Sequence, residues 1–195
     1  MLSPKKSLNI LRKTSALLEG HFVLSSGLHS SKYIQCAKLL SHPHLADKIC
    51  KSLANKIKKN YRNIDIILAP AMGGVIIGYE IGKILKKETI FCERVNGKFV
   101  LRRGFEIKKN ARVLIIEDVI TTGKSSMECV KLIKRYKARL VGFASIIDRS
   151  TKKSLKIKTK IISHLKIDVP TFKKNRLPRE LSSIKITTPG SRFIK

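Results

Sequence analysis

The chain has 195 residues, 43% of them hydrophobic and 28% charged, which is enough apolar material for the core of one domain of ordinary size. Lys and Arg number 42 against 13 acids, a formal charge of +29. That composition excludes an acidic disordered chain, a collagen-like repeat and a disulfide-stapled mini-protein, and no apolar run approaches the roughly 18–20 residues of a membrane span.

Taken in chain order, Leu8 to Leu18 has apolar positions at helical spacing and stops before Gly20, so a helix is expected there. Pro43 to Asn60 repeats the pattern, with Leu45, Ile49, Leu53 and Ile57 on one face. Ile64 to Ala69 reads as a buried strand closed by Pro70 and the turn Met72-Gly73-Gly74, followed by a helix from Val75 to Lys86 and a strand from Thr89 to Val95. Asn96-Gly97 predicts a hairpin, because a type I′ turn needs positive φ at both central positions. Its return arm is expected over Lys98 to Phe105. The most hydrophobic strand, Arg112 to Ile116, runs into Glu117-Asp118 and a loop, then a helix from about Lys124 to Tyr136. A further strand spans Leu140 to Ile147 and ends at Asp148-Arg149; Lys152 to Lys160, alternating with Leu155 and Ile157, reads as a solvated edge strand. Strands alternating with helices imply an α/β fold with a mostly parallel central sheet flanked by helices. In such sheets ligands sit beyond the carboxyl ends of the strands, where Pro70, Glu117 and Asp148 fall. No repeat or linker interrupts the chain, so residues 1–195 are expected to form one domain.

The large basic charge is compatible with nucleic acid, an anionic membrane or a phosphorylated small molecule. Lys is scattered through nearly every segment, and there is no zinc-finger spacing or cluster of aromatics, so a polyanionic small ligand is expected and nucleic acid is not. No membrane partner is expected. Cys36, Cys50, Cys92 and Cys129 form no C-x-x-C pair, which points to free buried thiols in a reducing compartment, and the absence of secretory features over Met1 to Asn9 agrees with a cytoplasmic location.

The segment Val113 to Ser126 carries the chemistry. A buried strand delivers Glu117 and Asp118, and the turn Val119, Ile120, Thr121, Thr122, Gly123, Lys124, Ser125 opens a helix. Backbone N–H groups and the hydroxyls of Thr121 to Ser125 can converge on a phosphate at the helix N-terminus, while two acids beside that cradle suit the vicinal hydroxyls of a ribose. Gly123-Lys124-Ser125 also suggests a Walker A loop, but that motif needs a glycine at the position occupied by Asp118.

Glu117 to Ser125 resembles the phosphoribosyl-diphosphate (PRPP) loop of type I phosphoribosyltransferases. Gly20 to Gln35, Ala69 to Gly78, Glu93 to Lys98 with Leu101 to Phe105, and Pro189 to Arg192 resemble the corresponding segments of orotate phosphoribosyltransferases, in the family's order. The resemblance implies transfer of phosphoribosyl from PRPP to orotate, a hood built from about residues 1–40 and the C-terminal tail, Mg²⁺ as cofactor without a confidently expected protein ligand, and a homodimer. It implies that Glu117 and Asp118 meet the ribose, that Thr121 to Ser125 hold the 5′-phosphate, and that Thr121 and Arg149 contact orotate. It also implies that the Ala69 to Gly74 turn meets the diphosphate, and that Arg94 and Lys98 belong to a mobile catalytic loop that closes across the dimer interface. The sequence departs from the family pattern in having no His between Arg94 and Phe105 and no Lys at Met72-Gly73. Ser25 stands where many relatives have Lys, for which Lys32 is the candidate substitute. Leu177 to Ile184 replaces a segment that carries a Cys pair in the short subgroup. Three rivals remain at this point: transfer to a purine or uracil, a regulator that keeps the PRPP loop and binds RNA or DNA without turnover, and a decayed enzyme, to which the departures point.

Overall fold

The structure, a computed structural model, describes residues 2–24, 26–151 and 155–187. The elements in order are α1 (Pro4–Lys13), β1 (Leu17–Val23), β2 (His29–Ile34), α2 (Cys36–Leu40), α3 (Pro43–Asn60), β3 (Ile66–Pro70), α4 (Gly73–Leu85), β4 (Glu88–Val95), β5 (Lys98–Val100), β6 (Arg112–Ile120), α5 (Lys124–Arg135), β7 (Arg139–Asp148), β8 (Ile161–Lys166), β9 (Thr171–Phe172), a 3-10 turn (Lys174–Arg176), α6 (Arg179–Ser182) and β10 (Ile186–Thr187).

Six strands form the central sheet in the order β5-β4-β3-β6-β7-β8. All its neighbours are parallel except β4 and β5, the two arms of the Asn96-Gly97 hairpin. Both turn residues have positive φ, 49° and 77°, as the sequence requires. The sheet is apolar on both faces because consecutive residues of a strand point to opposite sides. On β6, Val113 and Ile115 pack with α5, whereas Leu114 and Ile116 pack with α3 and α4. The alternating positions therefore fill two cores.

The chain ends meet in a second, four-stranded sheet of order β10-β1-β2-β9. The antiparallel pair β1–β2 is flanked by short strands from the C-terminal part, with His21 opposite Ile186 and His29 opposite Phe172. Its strands come from the stretches over which the resemblance implied a hood, and we use that word for this sheet. The motif Pro189 to Arg192, and Ser25, lie outside the described residues.

Three expected boundaries are corrected. The first helix is Pro4–Lys13, not Leu8 to Leu18: Ser3 caps its start, Ser15 turns the chain at φ 54°, and Leu17 and Leu18 leave the helical pattern to pair with Ile34 and Tyr33. The return arm of the hairpin stops at Val100, because Arg103 and Gly104 take positive φ and redirect the chain. The edge strand is Ile161–Lys166; of the stretch expected from Lys152 to Lys160, residues 152–154 lie outside the described residues and 155–160 form no strand, Ile157 being buried against α5 and the turn before it. Burial of an apolar side chain the size of Ile157 stabilises by about 1.5–3 kcal/mol, which outweighs the weak alternation in that stretch.

Candidate active site

The carboxyl ends of β3, β6 and β7 lie side by side; β6 and β7 deliver polar side chains to this rim, and β3 leads into the turn that starts α4. β6 contributes the acid pair. Glu117 continues the α5-facing row and accepts a short hydrogen bond from the Ser126 hydroxyl. Asp118 continues the α4-facing row: a Cβ on Gly73 would stand 2.7 Å from Asp118 Oδ1, so only glycine lets α4 begin this close to the carboxylate. The Cys36 thiol points to the Asp118 carbonyl at 3.8 Å. Adjacent in sequence, the two acids thus flank the strand end from opposite faces.

Burial sets their ionisation. It pushes the Glu117 carboxyl up to about 7, against the Ser126 hydrogen bond and with help from the charges of Asp118 and Glu128. Burial raises Asp118 as well, opposed by the Val119 N–H that donates to Asp118 Oδ1 at 2.9 Å. Water-poor carboxylates of this kind are primed to accept ligand hydroxyls or to face a cation.

Thr121 and Thr122 are exposed, and Gly123 turns into α5 at φ 70°, ψ 17°. The Lys124 N–H donates to Thr122 Oγ1 at 3.3 Å, and the Met127 N–H donates to the Gly123 carbonyl at 2.9 Å. A strap from the β7–β8 connection closes the outside of this turn. The Lys156 N–H donates to the Thr122 carbonyl at 2.8 Å, and a Cβ on Gly123 would come within 2.7 Å of Ile157 Cγ1. The loop is a rigid turn that presents hydroxyls and the N-terminal end of a 12-residue helix, the ordinary makings of an anion cradle.

Arg149 follows β7, its backbone N–H donating to the Ile120 carbonyl at 2.9 Å. Among the described residues its buried Nε has no hydrogen-bond partner. Burial lowers its pKa, with Tyr33 of the hood near enough to oppose that shift. Asp148 beside it is committed to the loop, accepting from the Ser150 N–H at 2.8 Å. On β3 the turn opens through a cis Ala71–Met72 peptide to the start of α4.

The structure brings Glu117, Asp118, Thr121 to Ser125 and Arg149 together, with Val119 and Ile120 as the apolar end of β6 that supports them. Arg94 lies against α5, ion-paired with Glu128 at 2.5 Å. Lys98 is exposed at the start of β5. Lys32 is not brought to Arg149: strand alternation that sends Tyr33 to that side sends Lys32 to the other, opposite Glu19. Sequence reasoning held Tyr33, Ser126 and Gly73 only inside longer segments, without a contact for any of them, and it missed Glu128. The alternation of β6 continued past Ile116 would have pointed to two of them, since it aims Glu117 and Asp118 at different helices.

A phosphoribosyl transferase domain model matches residues 36–175. The orotate phosphoribosyltransferase of Parvibaculum lavamentivorans is 43% identical over 194 residues, 99% of this chain and 100% of that protein. The chain belongs to the orotate phosphoribosyltransferase family. That of Erythrobacter litoralis is likewise 43% identical, across 98% of this chain and 99% of its own. Among solved structures, orotate phosphoribosyltransferase from Aeropyrum pernix superposes with a TM-score of 0.69 at 22% identity, covering 82% of this chain and 92% of that one, a likeness of fold. The family model begins at Cys36, so the hood strands β1 and β2 lie outside the stretch it matches.

For an orotate phosphoribosyltransferase, a divalent ion has to suit the groups present. Among the described residues no three His, Cys, Asp or Glu gather to hold a metal ion. Glu117 and Asp118 nevertheless supply hard oxygens of the kind Mg²⁺ prefers. The donor set therefore fits an ion carried by substrate oxygens and water, with the two acids at its edge. Among the described residues no helix is long and apolar enough to cross a membrane.

Proposed function

We propose that the chain transfers the 5-phosphoribosyl group of PRPP to orotate, giving orotidine 5′-monophosphate and diphosphate in pyrimidine biosynthesis, with the rim of β3, β6 and β7 as its site. The observation that carries the assignment of this rim is the unpaired, buried Nε of Arg149 beside an anion cradle and two acids. A buried guanidinium N–H lacking an acceptor favours a ligand that brings one, and the fork geometry of Arg matches the carboxylate of orotate.

The ribose hydroxyls of PRPP donate to Asp118 and Glu117, and its 5′-phosphate accepts from the amides and hydroxyls of Thr121 to Ser125. Orotate lies between Arg149 and the ring of Tyr33, with Thr121 at its edge. The C1–O bond to diphosphate breaks, positive charge builds on the ribose ring, and N1 of orotate, its proton passing to water or to the departing diphosphate, attacks C1 from the opposite face. No covalent nucleophile is needed; the residues orient two anions and stabilise a third as it leaves. Arg94, Lys98 and the Ala69 to Gly74 turn face the departing diphosphate. Glu117 and Asp118 would be the residues to hold a Mg²⁺ ion, which when bound would supply further charge neutralisation for the diphosphate.

The protein acts as one domain with its hood, in the cytoplasm, as a homodimer. Supporting the dimer, Met72 just before α4 and Ile76 and Tyr79 on it are large apolar side chains with exposures of 84%, 54% and 64%. Sedimentation of a monomer at micromolar concentration would remove it.

Loss of orotate absorbance with PRPP and Mg²⁺, run beside uracil, hypoxanthine and adenine, tests the reaction. Orotate consumption dependent on both PRPP and metal is expected. Asp118→Asn should reduce PRPP affinity at least about tenfold while leaving the fold intact, the scale of loss for a charge-assisted contact. Unimpaired turnover in that variant would reject the assignment of this loop.

A further inference from the structure

Alternation along β4 places Cys92 and Arg94 on the same face, and that face meets α5. Cys92 Sγ lies 3.5 Å from Cys129 Sγ, and two residues further along β4 Arg94 Nη2 lies 2.5 Å from Glu128 Oε2. Three groups hold the guanidinium of Arg94. Glu128 pairs with one nitrogen, the Gly97 carbonyl accepts from Nη1 at 2.8 Å, and the ring of Phe99, its cross-strand partner, lies 4.1 Å below the guanidinium carbon. Even so, the Arg94 side chain keeps 40% exposure, so it is fixed without being covered. Glu128 is buried more deeply, at 24%, and sits on the first turns of the helix that begins in the phosphate cradle. Arg94 is the one cation ion-paired with it among the described residues. A guanidinium has five N–H donors, and these contacts leave part of that set facing outward.

We infer that Glu128 is a positioning residue for the transfer: in place of the mobile loop across a dimer interface that the resemblance implied for Arg94, it anchors Arg94 to α5 of its own chain, so that the hairpin and the phosphate cradle hold a fixed spacing and the outward donors of Arg94 are aimed at the diphosphate. The inference rests on the proposed reaction and on Arg94 meeting the diphosphate. It gives Glu128 no contact with substrate.

The experiment measures wild type, Glu128→Gln, Arg94→Ala and the double variant in both directions of the reaction, with thermal melting of each. Glu128→Gln keeps the size of the side chain and removes its charge. Expected is a rise of about tenfold in the KM for diphosphate in the reverse reaction, or an equal fall in kcat, the usual scale for losing a partner that orients a site residue. The KM for orotate should stay within about twofold, a split that loss of folded protein would not produce. In the double variant the loss should be no larger than in Arg94→Ala alone. Wild-type kinetics in Glu128→Gln, or losses that add in the double variant, overturn the inference. Should Glu128→Gln fail to fold, Glu128→Asp, which withdraws the carboxylate from Arg94, should raise the diphosphate KM, and an unchanged value overturns it. Wild-type protein inactive on orotate would instead defeat the proposed reaction.

Discussion

Two buried groups titrate in overlapping windows and pull stability in opposite directions. His164 donates through Nε2 to the Ser7 hydroxyl, 2.7 Å away, because that hydroxyl is itself committed to the Ser3 carbonyl at 2.9 Å. Its Nδ1 is buried without a partner among the described residues, and burial, with the nearby Lys56 cation, lowers its pKa to about 4. Between about pH 4 and 6.5 the unfolded chain takes up a proton there that the folded chain refuses, so stability falls as pH falls. Glu117, raised to about 7, is the reverse case: from about pH 4.5 to 7 the folded chain retains a proton that the unfolded chain releases, so stability falls as pH rises. Each slope is at most about 1.4 kcal/mol per pH unit, and in wild type the two largely cancel. Chemical denaturation across pH 4–7.5 should therefore show stability climbing with pH in Glu117→Gln and declining with pH in His164→Asn. Parallel profiles in the two variants would contradict this assignment of the two pKa shifts.

At the scale of elements, the strand–turn–helix from β6 to α5 concentrates what could be read directly from the residues. Its apolar run, acid pair and Gly123 turn carry local signals, and so does the Asn96-Gly97 hairpin. The hood strands were not legible from pattern, because Leu17 and Leu18 suit a helix until Ile34 and Tyr33 are supplied from elsewhere as strand partners. Lys156 and Ile157 were misread for a related reason: their partners, the Thr122 carbonyl and the space over Gly123, lie more than thirty residues away in sequence. Within the site, Glu128 carries no motif and Tyr33 only membership of the Gly20 to Gln35 segment; only register and helix face show what they touch. The strap makes a prediction at this scale. Gly123→Ala combines an unfavourable positive φ with displacement of Ile157, and should lower stability by about 1–2 kcal/mol. It should also raise the KM for PRPP more than that for orotate, which steady-state kinetics with each substrate varied in turn would read.

For the molecule as a whole, the net charge of +29 sets a field favourable to both anionic substrates and unfavourable to compactness. Raising ionic strength from about 50 to 500 mM shrinks the screening length severalfold. The kcat/KM for PRPP should therefore fall while the melting temperature rises, because salt weakens capture and also relieves self-repulsion. A melting temperature that falls with salt would place the dominant charges in favourable pairs instead.

The hood joins segments from opposite ends of the described chain. β1 pairs with β10, the His21 ring meets the Ile184 carbonyl at 3.1 Å, and the Thr187 hydroxyl donates to the His21 carbonyl at 3.1 Å. During synthesis, β1 and β2 leave the ribosome roughly a hundred and fifty residues before the strand that completes their sheet. The phosphate cradle can form as soon as β7 and the strap have emerged, but the wall carrying Tyr33 waits for the last segment. A nascent chain therefore forms the β6–α5 turn before it can complete the sheet that holds Tyr33, which waits for β10.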